Sequence, residues 1–157
     1  MYGLPKIHKP GPLKMRPIVS NVGAVTSLLS KWLVSTFKEF GSLEGRNVTN
    51  SQEFIERIQG LNLRRSEALV SFDIVSLFPN VPVDRAIGFL EEWLLDKGVG
   101  VERTTDLINL TRLCMDHNDF QFRGVFYRML HGTAMGNSLS PFLAEVFLSR
   151  LESDSTA

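Results

Sequence analysis

The chain has 157 residues, of which 43% are hydrophobic, so it is long enough for one domain with a buried core. No apolar run approaches the roughly 18 residues of a membrane span, and the start, with its lysines and prolines, does not resemble a signal peptide. The single cysteine, Cys114, excludes an internal disulfide and a Cys-rich metal site, so we expect an intracellular protein without a membrane association.

The net charge is zero, but the charges are unevenly distributed. Residues 1–38 carry six lysines and arginines and no acidic residue, whereas the rest of the chain carries eleven basic and seventeen acidic ones. This segregation predicts a basic N-terminal surface that binds phosphates. A solvated basic arm is the alternative.

The first half of the chain predicts one hairpin and two helices. Four of the seven prolines lie in the first 18 residues and exclude a helix there, so two extended arms around Pro10-Gly11-Pro12 are predicted. Apolar residues recur at helical spacing over 24–40. A second helix is predicted from Asn50, whose spacing to Glu53 is typical of a capping box, to about Gly60.

The second half predicts an α+β fold with a few strands and four or five helices. Residues 68–74 form an apolar run rich in β-formers, which predicts a buried strand that Pro79 and Pro82 prevent from continuing. Apolar residues at helical spacing predict two helices, at 83–97 and 104–117. A hairpin is predicted over 119–130 around Gly124, and a last helix from Ser138 or Ser140 to about Leu151.

Asp73 is the one carboxylate in the predicted apolar strand. An ionised carboxylate in an apolar setting costs several kcal/mol unless it is paired, hydrogen-bonded or bound to a metal. Because Mg²⁺ prefers a few carboxylates together with phosphate oxygens, Asp73 is a candidate ligand of Mg²⁺. A structural aspartate that caps the turn or pairs with a distant arginine is the alternative.

The predicted N-terminal hairpin is a candidate phosphate site. Arg16 can bind phosphate oxygens through two hydrogen bonds, and Lys6, Lys9 and Lys14 add positive charge. A solvated hairpin is the alternative.

The loop HGTAMGNSLSP (131–141) carries two glycines, which let the backbone approach a flat or charged ligand. An ordinary turn before a helix would explain it equally. His117 and His131 have no partner at the helical spacing of a metal site, so we interpret both as non-metal histidines.

Four blocks, taken together, resemble the reverse transcriptase domain of Penelope-like retroelements, in the family's order and over almost the whole chain. They are YGLPKIHKPGPLKMRPIVS (2–20), NSQEFIERI (50–58), SFDIVSLFPNVP (71–82) and GTAMGNSLSPFLAEVF (132–147). The resemblance implies a partial right-hand polymerase, with fingers over 1–67 and palm over 68–157. It implies a retrotransposon RNA-directed DNA polymerase, a nucleotidyltransferase that adds dNTPs to a DNA primer on an RNA template by two-metal phosphoryl transfer. We expect such a protein in the nucleus.

The resemblance also implies roles for individual residues. Asp73 is similar to the first palm aspartate, which binds both Mg²⁺ ions, and the backbone carbonyl of Ile74 would be a further ligand. Arg16 is similar to the arginine that meets the triphosphate of the incoming nucleotide, with Lys6 and Lys9 as helpers.

The remaining roles concern the sugar and the base. Phe78 is expected beneath the sugar, where its ring would leave no room for a 2′-hydroxyl. Ala134, Met135 and Gly136 resemble the loop that lies along the nucleotide and the template base. Related polymerases often have Gln in place of Met135, and a proline tends to precede Leu139, where this chain has a serine.

A larger departure concerns the second palm motif, an aromatic residue, any residue and two adjacent aspartates. The sequence contains no Asp-Asp pair, so we expect this motif beyond Ala157, with the rest of the palm, the thumb and the GIY-YIG-type endonuclease common in the family. Two metal ions about 3.5 to 4 Å apart need carboxylates from both motifs, so these residues alone are expected to be an inactive, poorly soluble fragment. The alternatives are a catalytically inactive remnant that at most binds nucleic acid, and a globular protein with no nucleic-acid role.

Overall fold

A computed structural model describes residues 1–7, 11–43, 48 and 50–155, and over these residues the fold is mixed α+β with six helices and two small antiparallel sheets. The elements in chain order are β1 (Tyr2–Pro5), β2 (Met15–Ile18), α1 (Ser27–Glu39), α2 (Ser51–Ile58), α3 (Leu77–Asn80), α4 (Val83–Asp96), α5 (Val101–Asp116), β3 (Asp119–Phe122), β4 (Val125–Arg128) and α6 (Leu139–Ser155). None of the helices in this part of the chain combines the length and the apolar character needed to cross a membrane.

Four helices, α1, α4, α5 and α6, form the core. Each contributes apolar side chains at helical spacing, and the fully buried ones include Leu33, Phe37, Ile87, Leu90, Leu94, Leu139 and Leu143. The rings of Phe37 and Phe142 stack with their centroids 5.2 Å apart and so join α1 to α6. Burial of one such side chain stabilises a fold by about 1.5–3 kcal/mol, so this core supports the segments that pack on its surface.

The predicted helices are confirmed, with changes at their ends. Helix α5 begins at Val101 rather than at about 104, and α6 extends to Ser155 rather than to Leu151. The predicted cap of α2 is also confirmed, because the Asn50 side chain accepts a hydrogen bond of 3.0 Å from the backbone N–H of Glu53. The four-residue helix α3 was not predicted.

Both predicted hairpins are confirmed. Strands β1 and β2 pair antiparallel with Leu4 opposite Arg16, whereas residues 8–10 at the predicted tip, including Lys9, lie outside the described residues. Strands β3 and β4 are joined by Arg123 and Gly124, whose φ angles are 51° and 81°. Two successive positive φ angles are typical of the tight type I′ turn, which matches the right-handed twist of the strands.

The buried strand predicted over 68–74 is wrong. These residues form no strand in the structure and are exposed; Val70 has 70% and Phe72 has 90% of its surface accessible. A strand needs a neighbour for its backbone N–H and C=O groups, and in the described part of the chain neither sheet pairs with this segment. Asp73 is exposed too, so its carboxylate does not lie in an apolar setting and needs no partner on that account.

Candidate functional site

An open cavity of about 540 Å³ lies between the β1–β2 hairpin, the segment that leads into α3, and the loop before α6. The structure brings seven of the predicted site residues together along its wall: Lys6, Arg16, Asp73, Ile74, Phe78, Met135 and Gly136. The position of Lys9 is not described. Three stretches that are far apart in the sequence thus meet at one cavity.

The contact between the first hairpin and the loop is made by backbone atoms. The N–H of Val19 donates a hydrogen bond of 2.8 Å to the carbonyl of Met135. The next residue, Gly136, has φ +129°, and a Cβ placed there would lie 2.2 Å from the carbonyl oxygen of Val19. Only glycine fits this close approach, so Gly136 holds the loop against the chain that follows β2.

A second contact joins the same loop to α3. The backbone N–H of Thr133 donates to the carbonyl of Phe78 at 2.7 Å, and the Thr133 hydroxyl donates to the same oxygen at 3.3 Å. Gly132 has φ +71°, and a Cβ there would lie 2.3 Å from the carbonyl oxygen of Pro79. The two glycines were predicted to allow a close approach to a ligand, but in the structure both allow a close approach to neighbouring backbone.

Hydrogen bonds of buried polar side chains fix the conformation of the loop that precedes α6. The amide of Asn137 donates to the side-chain oxygen of Asn118 at 3.2 Å and accepts from the N–H of Leu139 at 3.0 Å, where α6 begins. The Ser140 hydroxyl donates to the carbonyl of Ala134 at 2.7 Å. Because a buried polar group without a partner is costly, such hydrogen bonds select one loop conformation.

Sequence reasoning missed Thr133, Asn118 and the role of Asn137. Asn137 stood out only as a neighbour of Ser138, which departs from the family pattern. The bonds of Asn118 and Thr133 join residues that are distant in the sequence, and no local pattern indicates them.

The turn after Asp73 is held by one side chain. Ser76 adopts the left-handed conformation with φ 54°, and the Asn80 amide donates to its carbonyl at 3.0 Å. The bond spans the start of α3 and so orders the chain next to Asp73 and Ile74. In this region the backbone direction changes sharply over a few residues.

The cavity combines two cations with a carboxylate. Lys6 is half-buried and Arg16 is exposed, and the two together can bind an anion with several oxygens. The Asp73 carboxylate and the Ile74 carbonyl are oxygen ligands of the kind that Mg²⁺ accepts, and one carboxylate leaves the other positions of an octahedral ion to water, phosphate or further carboxylates.

His117, His131 and Cys114 do not line the cavity. Within the ranges that the structure describes, no three His, Cys, Asp or Glu side chains are grouped so as to hold a metal ion. His131 is exposed, and a ring nitrogen of His117 lies 2.9 Å from the Leu113 carbonyl oxygen. Burial raises the pKa of the Cys114 thiol.

Comparison of the chain with models of known protein families, with curated proteins and with solved structures gives no match.

Proposed function

We propose that this chain is the fingers and the first part of the palm of an RNA-directed DNA polymerase, a reverse transcriptase similar to those of Penelope-like retroelements. One observation carries the proposal. Residues 2–20, 71–82 and 132–147, three of the four blocks with the resemblance, surround a single cavity. Its volume of about 540 Å³ lies in the range of small-molecule sites.

In this proposal the cavity holds the incoming nucleotide. Arg16 and Lys6 bind the triphosphate, because a guanidinium and an ammonium complement its charge. Met135 and Gly136 lie along the base and the template. Phe78 packs beneath the sugar and disfavours a 2′-hydroxyl by its bulk.

Asp73 and the carbonyl of Ile74 hold Mg²⁺ in the same proposal. When bound, Mg²⁺ neutralises the charge that develops on the transferred phosphate. The remaining carboxylates of a two-metal site are assigned to the second palm motif, which the resemblance places after these residues. The residues described here then bind and orient the dNTP while the downstream palm completes the site.

A catalytically inactive remnant that binds nucleic acid is the second candidate, and the basic N-terminal region favours it. Over the described parts of residues 1–38 the charged side chains are Lys6, Lys14, Arg16, Lys31 and Lys38, all of them basic. Such a surface binds phosphates without a metal site. The transcript downstream of the Ala157 codon separates the two candidates, because the enzyme requires an in-frame aromatic-x-Asp-Asp motif and the remnant does not.

The nucleotide site is tested by titrating the chain with a fluorescent dNTP in the presence of Mg²⁺. We expect Arg16→Ala to weaken binding by about 10- to 100-fold, because a hydrogen bond to a charged group contributes about 1.5–3 kcal/mol. Asp73→Asn should remove the stimulation by Mg²⁺. The matched control is Arg57→Ala on α2, an exposed arginine that does not line the cavity.

Two results of this titration would refute the proposal. If the chain binds no dNTP, or if Arg16→Ala and Arg57→Ala have equal effects, the cavity is not a nucleotide site.

A further inference from the structure

The backbone at Phe78 cannot be held by helix α3 alone. In an α-helix each carbonyl accepts a hydrogen bond from the N–H four residues further along the chain. For Phe78 that residue is Pro82, which has no N–H. The Phe78 carbonyl therefore depends on a donor from outside α3.

Thr133 supplies this donor twice. Its backbone N–H donates to the Phe78 carbonyl at 2.7 Å, and its hydroxyl donates to the same oxygen at 3.3 Å. Thr133 has none of its surface accessible, so water does not compete for these bonds. Loss of the hydroxyl would leave one bond where the structure has two.

The two ends of α3 are fixed independently of Thr133. The Asn80 amide donates to the Ser76 carbonyl at 3.0 Å, and Val81, directly after α3, has 1% of its surface accessible. Thr133 is bonded between these two contacts, at the residue whose side chain lines the cavity. Its two bonds thus fix the middle of the helix.

The Phe78 side chain lies between the core and the cavity. Phe78 is half-buried, packs against the hydrophobic core and lines the cavity wall. Thr133 itself does not line the cavity. Thr133 can therefore act on a bound ligand only through other residues, and both bonds that its N–H and hydroxyl donate lead to Phe78.

We propose that Thr133 is a positioning residue for sugar selection. By holding the Phe78 backbone, it keeps the ring where the ring excludes a 2′-hydroxyl. This inference rests on the proposed function, in which the cavity holds a dNTP and Phe78 packs beneath its sugar. Exclusion of one hydroxyl group is sensitive to small displacements, because the groups of a binding site must be held within about 0.5 Å of their working positions.

A purely structural role of Thr133 predicts a different result. A loosened loop would weaken the binding of deoxyribonucleotides and ribonucleotides alike, because in the proposed function Met135 and Gly136 lie along the base, which the two kinds of nucleotide share. A displaced Phe78 ring changes only the contact with the sugar. The ratio of the two affinities therefore separates the two roles.

The test is the competition of dGTP and of GTP with a fluorescent dNTP on the full chain in the presence of Mg²⁺. We expect the unmodified chain to prefer dGTP and Phe78→Ala to lose this preference. Thr133→Val replaces the hydroxyl by a methyl group and should reduce the ratio of the two affinities by about 2- to 12-fold, the contribution of one hydrogen bond. Thr133→Ser keeps the hydroxyl and should retain the ratio.

Thr111→Val is the matched control. Thr111 is also fully buried, but its hydroxyl donates to the Leu107 carbonyl at 2.8 Å within α5, and neither residue lines the cavity. This variant should leave the ratio unchanged. Urea denaturation checks that Thr133→Val is folded; if it is not, Thr133→Ala takes its place, because it removes the same hydroxyl without burying a new methyl group.

A double variant shows whether Thr133 acts through Phe78. When Phe78→Ala has removed the ring, Thr133→Val should have no further effect on the ratio. A reduction of equal size with and without the ring would refute the positioning role.

The positioning role and the proposed function fail in different ways. If dGTP binding depends on Arg16, but the chain does not prefer dGTP or Thr133→Val leaves the ratio unchanged, the nucleotide site is supported and the positioning role is wrong. If the chain binds neither nucleotide, the proposed function is refuted and the positioning role with it.

Discussion

At Gly136 two distant parts of the chain approach so closely that no side chain fits between them. The contact depends on the positive φ of +129° and on the distance of 2.2 Å that a Cβ would have from the Val19 oxygen. Together with the Val19–Met135 hydrogen bond, it fixes the loop beside Arg16 and the rest of the first hairpin. The backbone geometry at Gly136 is thus one of the features that set the cavity wall.

We expect Gly136→Ala to lower the free energy of unfolding by about 2–4 kcal/mol. Overpacking costs about 1–3 kcal/mol, and left-handed backbone costs a non-glycine residue about 1–2 kcal/mol. Urea denaturation measures the change. The matched control is Gly88→Ala in α4, where a Cβ meets nothing within 4 Å and φ is not positive; it should raise stability by about 0.5–1 kcal/mol. If both variants are as stable as the unmodified chain, the Val19–Met135 contact does not form in solution.

At the scale of elements, the segment 68–74 differs most from its sequence pattern. Its apolar run of β-formers predicts a buried strand, yet Val70, Phe72 and Ile74 are exposed. Such a segment resembles an unpaired edge strand, which promotes aggregation. We therefore assign the low solubility expected of this chain to residues 68–74.

We expect Phe72→Lys to raise the soluble concentration of the chain without lowering its melting temperature by more than about 2 °C, because exposed substitutions usually change stability by less than about 0.5 kcal/mol. Turbidity against concentration and thermal unfolding by circular dichroism measure the two effects. Leu90→Lys, at a fully buried position of α4, should instead prevent folding. A large loss of melting temperature in Phe72→Lys would contradict the structure, since it would mean that Phe72 is packed in solution.

At the scale of the whole molecule, the four core helices and the β1–β2 hairpin support a cavity that is lined by one carboxylate of the proposed metal site. Asp73 lines this cavity. Phosphoryl transfer by two metal ions needs more negative charge than one carboxylate supplies. The chain should therefore bind substrates without turning them over.

We expect no primer extension by residues 1–157 with Mg²⁺, dNTPs and a primer annealed to an RNA template, measured on a denaturing gel. A complete reverse transcriptase on the same primer and template is the positive control. Binding of the primer–template should weaken as salt rises, because phosphate contacts release counterions. Robust extension that Asp73→Asn abolishes would overturn the expectation and show that the chain completes its own metal site.

Much of the fold was predictable because its signals are local. Helical spacing predicted α1, α4 and α5, the start signal at Ser138 or Ser140 predicted α6, and the capping pattern at Asn50 predicted the start of α2. Gly124 and the alternating aromatic residues predicted the second hairpin. The candidate site residues were predicted from short sequence blocks that resemble the family, and such blocks are local signals too.

The sequence by itself thus determined helices α1, α2, α4, α5 and α6 and the two hairpins, and it predicts which residues contact a nucleotide. Only the tertiary structure decided that these residues line one cavity, that Thr133 and Asn137 fix its loop, and that residues 68–74 are exposed. The physical reason is that burial and strand pairing depend on partners supplied by distant parts of the chain. A β-rich run without such a partner stays exposed, whatever its own pattern predicts.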